Sequence, residues 1–242
     1  MYDMDKMTLL VDIGTNGEMV LGNKDVMIAC STAAGPALEG ARICFGMRGA
    51  PGAVDHVSCS DGKLLTHVIG EKETVGICGS GLIDAAAVLL EAGWINKRGR
   101  IQKHCPYYEE LGEERIVRLT KDVYLTQNDI REVQMAKGAI AAGIVLMAGQ
   151  LGISLEEIDQ VFLAGAFGSF MNPHSACRIG LLPAVLETKI QAVGNAAGSG
   201  AKIAAMNRRE FERAGELTKE IRFLELAELP DFQHVFARNM SL

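Results

Sequence analysis

The feature that most constrains the fold of this chain is a run of β-forming residues that ends in a glycine-rich reversal. Residues 8–13 favour a strand, and the segment Asp12-Ile13-Gly14-Thr15-Asn16-Gly17 then combines small and turn-forming residues. Two shorter strand-like runs follow at residues 18–21 and 26–29, separated by the turn-forming sequence Gly22-Asn23-Lys24-Asp25. We therefore predict a three-stranded antiparallel meander whose first turn leaves main-chain N–H groups free to contact an anion.

The rest of the chain alternates between strand-like and helix-like segments, which is typical of the α/β class. We predict a mixed sheet in which three antiparallel N-terminal strands are flanked by helices. Residues 94–124 are charged, and we expect an irregular surface excursion there. The other predicted elements are a hairpin at 54–68, a helix after the glycine-rich turn at 76–81, a long capped helix that begins after Thr126, a strand at 160–164, helices at 195–206 and 208–217, a strand at 221–226 and a closing helix at 231–238.

The charge and hydropathy of the chain argue against two classes of partner. Lys+Arg total 24 and Asp+Glu total 30, which gives a net charge of −6, whereas a nucleic-acid-binding surface is basic. The sequence has no apolar stretch free of charge and glycine breaks that is long enough to span a membrane. The polar, acidic residues 1–6 are also unlike a secretory signal. We expect a cytoplasmic protein with neither nucleic acid nor a membrane as a partner.

The six cysteines indicate neither a metal ribbon nor a disulfide framework. No two of them form a C-x-x-C pair, and their spacing is irregular. We therefore expect reduced and mostly buried thiols. They are Cys30, Cys44, Cys59, Cys78, Cys105 and Cys177.

Two glycine-rich turns are candidate phosphate sites. Asp12 stands at the end of the first strand, and a single carboxylate combined with phosphate oxygens is the environment that Mg²⁺ prefers. At the second turn, the amides of Gly79, Ser80 and Gly81 begin a helix, whose dipole favours an anion. The simpler alternatives are an ordinary hairpin turn at the first and a glycine-rich connection capped by Ser80 at the second. The residues of the first turn predicted to contact the ligand are Gly14, Thr15, Asn16 and Gly17.

Two later segments are rich in small residues. A buried strand is predicted to end in Gly165-Ala166-Phe167-Gly168, where the absence of bulky side chains would let a ring or a ribose approach the backbone. Residues 194–201 begin another helix with small residues. The structural alternatives are a packed strand-to-helix turn for the first segment and close helix packing for the second.

Taken together and in this order, these motifs resemble the actin-like ATPase superfamily of acetate and sugar kinases, DnaK-type chaperones and actin. Within that superfamily, the sequence is most similar to the C-terminal domain of reductive activators of corrinoid proteins, and the resemblance covers nearly the whole chain. The segments that carry it are residues 10–18, 30–40, 76–84, 134–140, 162–168 and 194–201.

The resemblance implies a ribonuclease-H-like lobe that binds ATP and Mg²⁺. The turn at residues 12–17 would be a phosphate loop with Asp12 as the metal ligand and catalytic carboxylate, and the adenosine loop would comprise Gly165, Ala166 and Gly168. Lys137 would either face the nucleotide or be solvated. In this family, ATP drives an electron from a two-iron ferredoxin domain to Co(II) in a corrinoid iron–sulfur protein. A second copy of the chain is a further candidate partner.

The resemblance also implies how the chain is organised. Asp-x-Gly-Thr occurs once, at Asp12, and clustered ferredoxin cysteines are missing. We therefore expect residues 1–242 to form a single second lobe, with the first lobe and the ferredoxin domain outside this chain. Such a lobe alone lacks half of the ATP cleft that hydrolysis needs.

Three alternative functions remain open from the sequence. A 2-hydroxyacyl-CoA dehydratase activator would use Cys78 as an iron–sulfur ligand, because Cys78-Gly79-Ser80-Gly81 is similar to the cluster-binding helix start of that family. A small-molecule kinase would need the other lobe and a base. A nucleotide-responsive interaction module would bind ATP or ADP without turnover.

Overall fold

The computed structural model describes residues 1–165 and 168–242 in full, and only the backbone of Ala166 and Phe167. The strands are β1 Thr8–Ile13, β2 Gly17–Gly22, β3 Met27–Thr32, β4 Ala53–Ser60, β5 Lys63–Val68, β6 Gly76–Ile77, β7 Tyr108–Leu111, β8 Glu114–Arg118, β9 Tyr124–Thr126, β10 Gln160–Ala164, β11 Ile190–Gly194 and β12 Arg222–Phe223. The α-helices are α1 Gly79–Glu91, α2 Gln127–Leu151, α3 Gly165–Gly168, α4 Pro173–Arg178, α5 Ala196–Met206, α6 Arg208–Glu220 and α7 Phe232–Asn239.

The largest sheet has six strands in the order β11-β10-β1-β2-β3-β12. β1, β2 and β3 form the predicted antiparallel meander, while β10 and β11 run parallel to β1 on its other side. The predicted α/β class and the mixed sheet with three antiparallel N-terminal strands are therefore confirmed. Because β1, β10 and β11 are parallel, their carboxyl ends all lie at one edge of the sheet.

One face of this sheet forms the core against the long helix α2. Leu9, Val11 and Ile13 alternate along β1 and are buried on this face. Small residues let α2 approach closely: a β-carbon on Gly143 would lie 2.3 Å from Met19 Cε of β2. The predicted capping box begins α2, since Thr126 Oγ1 accepts a hydrogen bond from the Asp129 amide at 3.0 Å.

By length and composition alone, α2 could also cross a membrane. However, 72% of its apolar window is buried inside the protein. Packing of a core helix accounts for this composition.

Residues 94–124 are more ordered than predicted. They contain β7 and β8, which join β9 in a three-stranded antiparallel sheet. Ile116, Val117 and Val123 are fully buried, and Val117 and Val123 belong to the core cluster. The prediction of an irregular excursion is wrong, because charged residues flank the adjacent buried residues Ile116 and Val117 and leave no alternating pattern in the sequence.

Candidate functional site

The edge where β1, β10 and β11 end gathers three of the segments selected from the sequence. Asp12 is paired in register with Ala164 of β10, and Ala164 is paired with Gly194 of β11. The chain then leaves these strands at Gly165, beside Asp12, and at Asn195, one strand further along the same edge. In open α/β sheets this edge is where ligands bind.

A cleft of about 1070 Å³ opens at this edge. Its volume slightly exceeds the range of about 300–1000 Å³ found for small-molecule sites. The end of β1, the start of α1, the turn after β10 and the start of α5 all contribute to it. Its lining includes Asp12, Arg48, His56, Cys78, Gly79, Ser80, Asp84, Gly165, Asn172, Asn195 and Ala197.

Gly165 has a conformation and a position that other residues would not tolerate. Its φ is 86°, in the left-handed region that favours glycine. A β-carbon there would lie 2.5 Å from Asp12 Oδ1 and 3.1 Å from the Ile13 carbonyl oxygen. The glycine therefore lets the turn after β10 approach the carboxylate of Asp12 directly.

Asp12 lies in an environment that disfavours its charge. Burial raises the pKa of its carboxyl above the usual value, and Glu18 raises it further. Glu18 is its direct cross-strand partner on β2, and like charges at such positions repel. A divalent cation would relieve both effects, so the pair suits a Mg²⁺ site.

The start of α1 contributes a second wall of the cleft. Gly79 and Ser80 line it, and Ser80 Oγ donates a hydrogen bond to the Asp55 carbonyl oxygen at 2.9 Å. Gly81 has a different role: a β-carbon there would lie 2.3 Å from the Val54 carbonyl oxygen. Gly81 therefore allows α1 to pack against β4 rather than contacting a ligand in the cleft.

Two asparagine caps complete the polar lining. Asn195 Oδ1 accepts a hydrogen bond from the Gly198 amide at 2.7 Å at the start of α5, and Ala197 lies beside it in the cleft. Asn172 Oδ1 accepts from the His174 amide at 2.9 Å at the start of α4, as the Asn-Pro sequence predicts. Both caps direct helix N-termini toward the cleft, where the dipole of the eleven-residue α5 favours an anion.

An aspartate–histidine pair lies in the same cleft. Asp84 of α1 is 2% exposed, and its Oδ2 contacts His56 Nδ1 of β4. The Val57 amide also donates to Asp84 Oδ2, at 3.4 Å. Asp84 Oδ1 is buried and has no hydrogen-bond partner among the described residues. A buried carboxylate held in this way fixes the orientation of the imidazole and leaves its Nε2 as the free ring nitrogen.

Several residues predicted to contact the ligand lie elsewhere. Thr15 Oγ1 donates to Glu39 Oε2 at 2.7 Å, and Thr15 and Asn16 are exposed outside the cleft lining. The Gly14 amide donates to the Asn16 carbonyl oxygen at 2.9 Å, within the turn itself. Gly17 is buried, and a β-carbon there would lie 3.2 Å from Ile140 Cγ1 of α2. The first turn therefore contributes to the cleft mainly through Asp12 and Ile13.

The remaining predicted residues also have structural roles. Lys137 is 2% exposed, and its ammonium group donates to the Ser241 carbonyl oxygen, so it is neither solvated nor in the cleft lining. Gly168 packs on the preceding strand β10, where a β-carbon would lie 2.9 Å from Leu163 Cγ. The prediction for Ala166 falls on a side chain outside the described residues.

Sequence reasoning missed Asp84, His56 and Arg48. Asp84 carried one signal, since it lies inside the apolar run Leu82-Ile83-Asp84-Ala85-Ala86 and burial of a carboxylate is unfavourable unless a partner stabilises it. His56 and Arg48 carried none, because their positions depend on how β4 and the preceding loop pack beside α1.

The fold and the cleft together define an actin-like ATPase domain, the class in which a β-meander, a strand–glycine turn and helix N-termini surround a nucleotide. Residues 6–242 match the family described as the C-terminal domain of RACo, the ASKHA domain, where ASKHA denotes acetate and sugar kinases, Hsp70 and actin. The chain belongs to this family.

Comparison with individual proteins agrees with this assignment. The chain is 38% identical over 252 residues to the corrinoid activation enzyme RamQ of Eubacterium limosum, covering 97% of this chain and 42% of that protein. It is 30% identical to a Methanosarcina barkeri reductase of a Co(II) methylated amine-specific corrinoid protein, covering 88% of this chain and 42% of that one. A solved reductive activator for a corrinoid iron–sulfur protein superposes with a TM-score of 0.91 at 38% identity, covering 98% of this chain and 40% of that structure. The chain thus spans about two fifths of the length of these relatives.

Proposed function

We propose that this chain is the nucleotide-binding C-terminal lobe of an ATP-dependent reductive activator of corrinoid proteins. The observation that carries the proposal is the convergence of Asp12, the start of α1, Gly165 and the start of α5 on one cleft of about 1070 Å³. In this proposal the activator couples ATP to the transfer of one electron from a reduced two-iron cluster to Co(II), which gives Co(I).

The cleft residues fit a magnesium nucleotide. The amides at the starts of α1 and α5 would bind phosphate oxygens, and Arg48 would neutralise part of their charge. Asp12, opposed by Glu18, would hold Mg²⁺ directly or through water. Gly165 would let the nucleotide lie against the backbone beside Asp12.

The Asp84–His56 pair suits a role in ATP hydrolysis. With Nδ1 directed to Asp84, His56 would use Nε2 to accept a proton from the attacking water. Hydrolysis of ATP by one water yields ADP, phosphate and a proton, so a base beside the phosphates is useful. Asp84 would act as a positioning residue that orients the ring and stabilises the protonated imidazole.

The iron–sulfur cluster would lie outside residues 1–242. Among the described residues, no group of three or more His, Cys, Asp or Glu side chains could hold a metal ion. Nucleotide binding and hydrolysis would act by favouring one state of the activator–corrinoid complex, since only a state-dependent interaction can drive an unfavourable electron transfer. A first lobe supplied by the longer protein would complete the other side of the ATP cleft.

The first experiment measures nucleotide binding to this chain by calorimetry, with ADP and ATP in the presence of Mg²⁺ or EDTA. We expect magnesium-dependent binding that Gly165→Val weakens at least about tenfold, equivalent to a loss of about 1.4 kcal/mol. If neither this chain nor the full-length protein that contains it binds ADP or ATP, the proposal is refuted.

The second experiment tests the activity itself. The full-length protein that contains this chain, with its cluster reduced, is mixed with a Co(II) corrinoid protein, and the Co(I) absorption is followed with and without ATP. We expect Co(I) to accumulate only with ATP. Equal accumulation without ATP would contradict the coupling.

An iron and sulfide assay separates this proposal from a dehydratase-type activator. Cys78 is buried in the cleft wall, with its Sγ 3.4 Å from Ser80 Oγ. The family match favours the corrinoid activators. We therefore expect anaerobically purified chain to be free of iron, and stoichiometric iron lost in Cys78→Ser would favour the dehydratase-type activator instead.

A further inference from the structure

We infer that a second concave site, separate from the cleft, binds a small oxyanion that carries two or more negative charges. We call it the arginine pocket, and its volume is about 450 Å³. It is lined by Arg98, Arg100, Glu114, Arg115, Gln127, Asn128, Arg131 and Gln134.

The backbone around the arginine pocket is fixed by hydrogen bonds. Asn96 Oδ1 accepts from the amides of Arg98 and Arg100, each at 3.0 Å, which shapes the loop after α1. Gln127 at the start of α2 then ties that loop to the helix: its Nε2 donates to the Gly99 carbonyl oxygen at 2.8 Å, and its Oε1 accepts from the Ile101 amide at 3.0 Å. The arginines therefore project from a preorganised frame.

The charge of the arginine pocket is unbalanced. Four arginines and one glutamate give it a formal charge of +3, in a chain whose net charge is −6. Among the described residues, none of the four guanidinium groups forms an ion pair. Glu114 Oε1 accepts from the Gln127 amide at 3.0 Å. Mutual repulsion of unpaired guanidinium groups is relieved when an anion binds between them.

One acidic side chain outside the arginine pocket acts on it from the neighbouring strand. Glu110 lies opposite Arg115 across the β7–β8 pair and attracts it electrostatically, but its ion pair is with Lys103, whose Nζ lies 3.1 Å from Glu110 Oε1. The guanidinium group of Arg115 therefore remains without an ion pair among the described residues.

The shape of the site favours a small ligand over an acidic protein surface. A volume of about 450 Å³ lies within the range of small-molecule pockets, whereas a stable protein partner would cover roughly 800 Å² on each side. Asn128 lies in the first turn of the 25-residue helix α2, whose dipole is positive at this end, and Arg131 follows in the next turn. Guanidinium groups bind phosphate and carboxylate oxygens through paired hydrogen bonds, so the ligand class is a phosphorylated or polycarboxylate anion.

The test uses inorganic pyrophosphate as the probe and the arginine Nε–Hε signals in NMR spectra as the readout. We expect pyrophosphate to shift the signals of Arg98, Arg100, Arg115 and Arg131. Signals of Ser80 and Asn195 report any binding in the cleft separately. If pyrophosphate shifts only the signals of the cleft residues, the proposal is wrong. It is also wrong if a polyglutamate peptide shifts the arginine signals and pyrophosphate does not.

Matched variants test which side chains matter. Arg100→Gln and Arg131→Gln are each expected to weaken pyrophosphate binding about tenfold, the value of one charged hydrogen bond. Arg209→Gln on the exposed face of α6 makes the same charge change away from the pocket and should have no comparable effect. Glu114→Gln should strengthen binding, because it removes the one negative charge of the pocket. If Arg100→Gln and Arg209→Gln weaken pyrophosphate binding equally, the anion is attracted only by the overall positive charge of the arginines, and the proposed site does not exist.

Discussion

Gly165 lies so close to Asp12 that a β-carbon on it would be 2.5 Å from Asp12 Oδ1. The two residues belong to parallel neighbours, β1 and the turn after β10, and their contact forms the floor of the cleft. The carboxylate position therefore depends on a glycine that is 153 positions away in sequence.

Gly165→Ala should displace the Asp12 carboxylate and weaken magnesium-nucleotide binding at least about tenfold, or about 1.4 kcal/mol. It should also destabilise the chain by about 1 kcal/mol, because alanine is strained at a φ of 86°. Calorimetry and urea unfolding measure the two effects. Gly93→Ala is the matched control, since Gly93 has a φ of 70° but open space around it. If both variants bind nucleotide equally well, the contact with Asp12 has no role in binding.

Asp12→Asn should separate stability from binding. Since burial and Glu18 raise the pKa of Asp12, the folded chain gains stability as the pH falls through the folded-state pKa toward the ordinary value of 3.8. The amide removes this dependence, so the variant should be more stable than wild type at pH 7 without ligand. It should also lose the Mg²⁺ dependence of nucleotide binding. Urea unfolding between pH 4 and 7 and calorimetry check this, and a less stable variant that keeps its Mg²⁺ response would contradict it.

Local sequence signals predicted most of the fold. The bounds of β1, the cap at Thr126 and the turn between β4 and β5 each depend on a few neighbouring residues, so their chemistry is visible in the sequence. The structure brings Asp12, Gly79 and Gly165 together in one cleft, whereas residues 14–17 of the first glycine-rich turn lie outside its lining. The strands β7 and β8 were missed, since the buried residues Ile116 and Val117 are adjacent and flanked by charged residues, which gives no strand-like alternation.

The site was predicted less completely, because its polar contacts join distant parts of the chain. His56 and Asp84 are 28 residues apart and meet only when α1 packs on β4, as Gly81 allows. Lys137 sits on the buried side of α2, where its partner is the carbonyl oxygen of Ser241. No local pattern reports which of these side chains reach the cleft.

The Asp84–His56 pair predicts a defect in turnover rather than in binding. In the full-length activator, His56→Gln should lower the rate of ATP hydrolysis about 100-fold, within the usual range for loss of a general base. Asp84→Asn should lower it by a smaller factor and shift the pH profile of the rate, since the orienting charge is lost while the ring remains. Steady-state phosphate release across pH 5 to 9, with ADP affinity as a second readout, measures both.

A control variant and a contrary outcome test that prediction. His67→Gln changes a histidine of the neighbouring strand, which pairs with Asp55 at 2.5 Å, and should leave hydrolysis unchanged. An equal loss of ADP affinity and rate in His56→Gln would indicate a binding role and contradict the proposed base.

Lys137 predicts an alkaline rise in stability. Burial lowers the pKa of its ammonium group from the ordinary 10.5 to about 8. Below pH 8 the group is charged in both the folded and unfolded chains, and its burial weakens the fold; above pH 10.5 it is neutral in both. Between these values the unfolded chain binds more protons, so this residue makes stability increase with pH.

Lys137→Met should therefore abolish that increase. The stability of the variant relative to wild type should fall by roughly 3 kcal/mol between pH 8 and 10.5, the free-energy equivalent of the pKa difference. Lys137→Met also removes the hydrogen bond to the Ser241 carbonyl oxygen, so the change of stability with pH, rather than the absolute stability, is compared between the two proteins. Urea unfolding at several pH values measures the slope, and Lys219→Met, which alters an exposed lysine of α6, controls for removal of a charge. Parallel pH profiles for wild type and Lys137→Met would mean that this ammonium group is solvated.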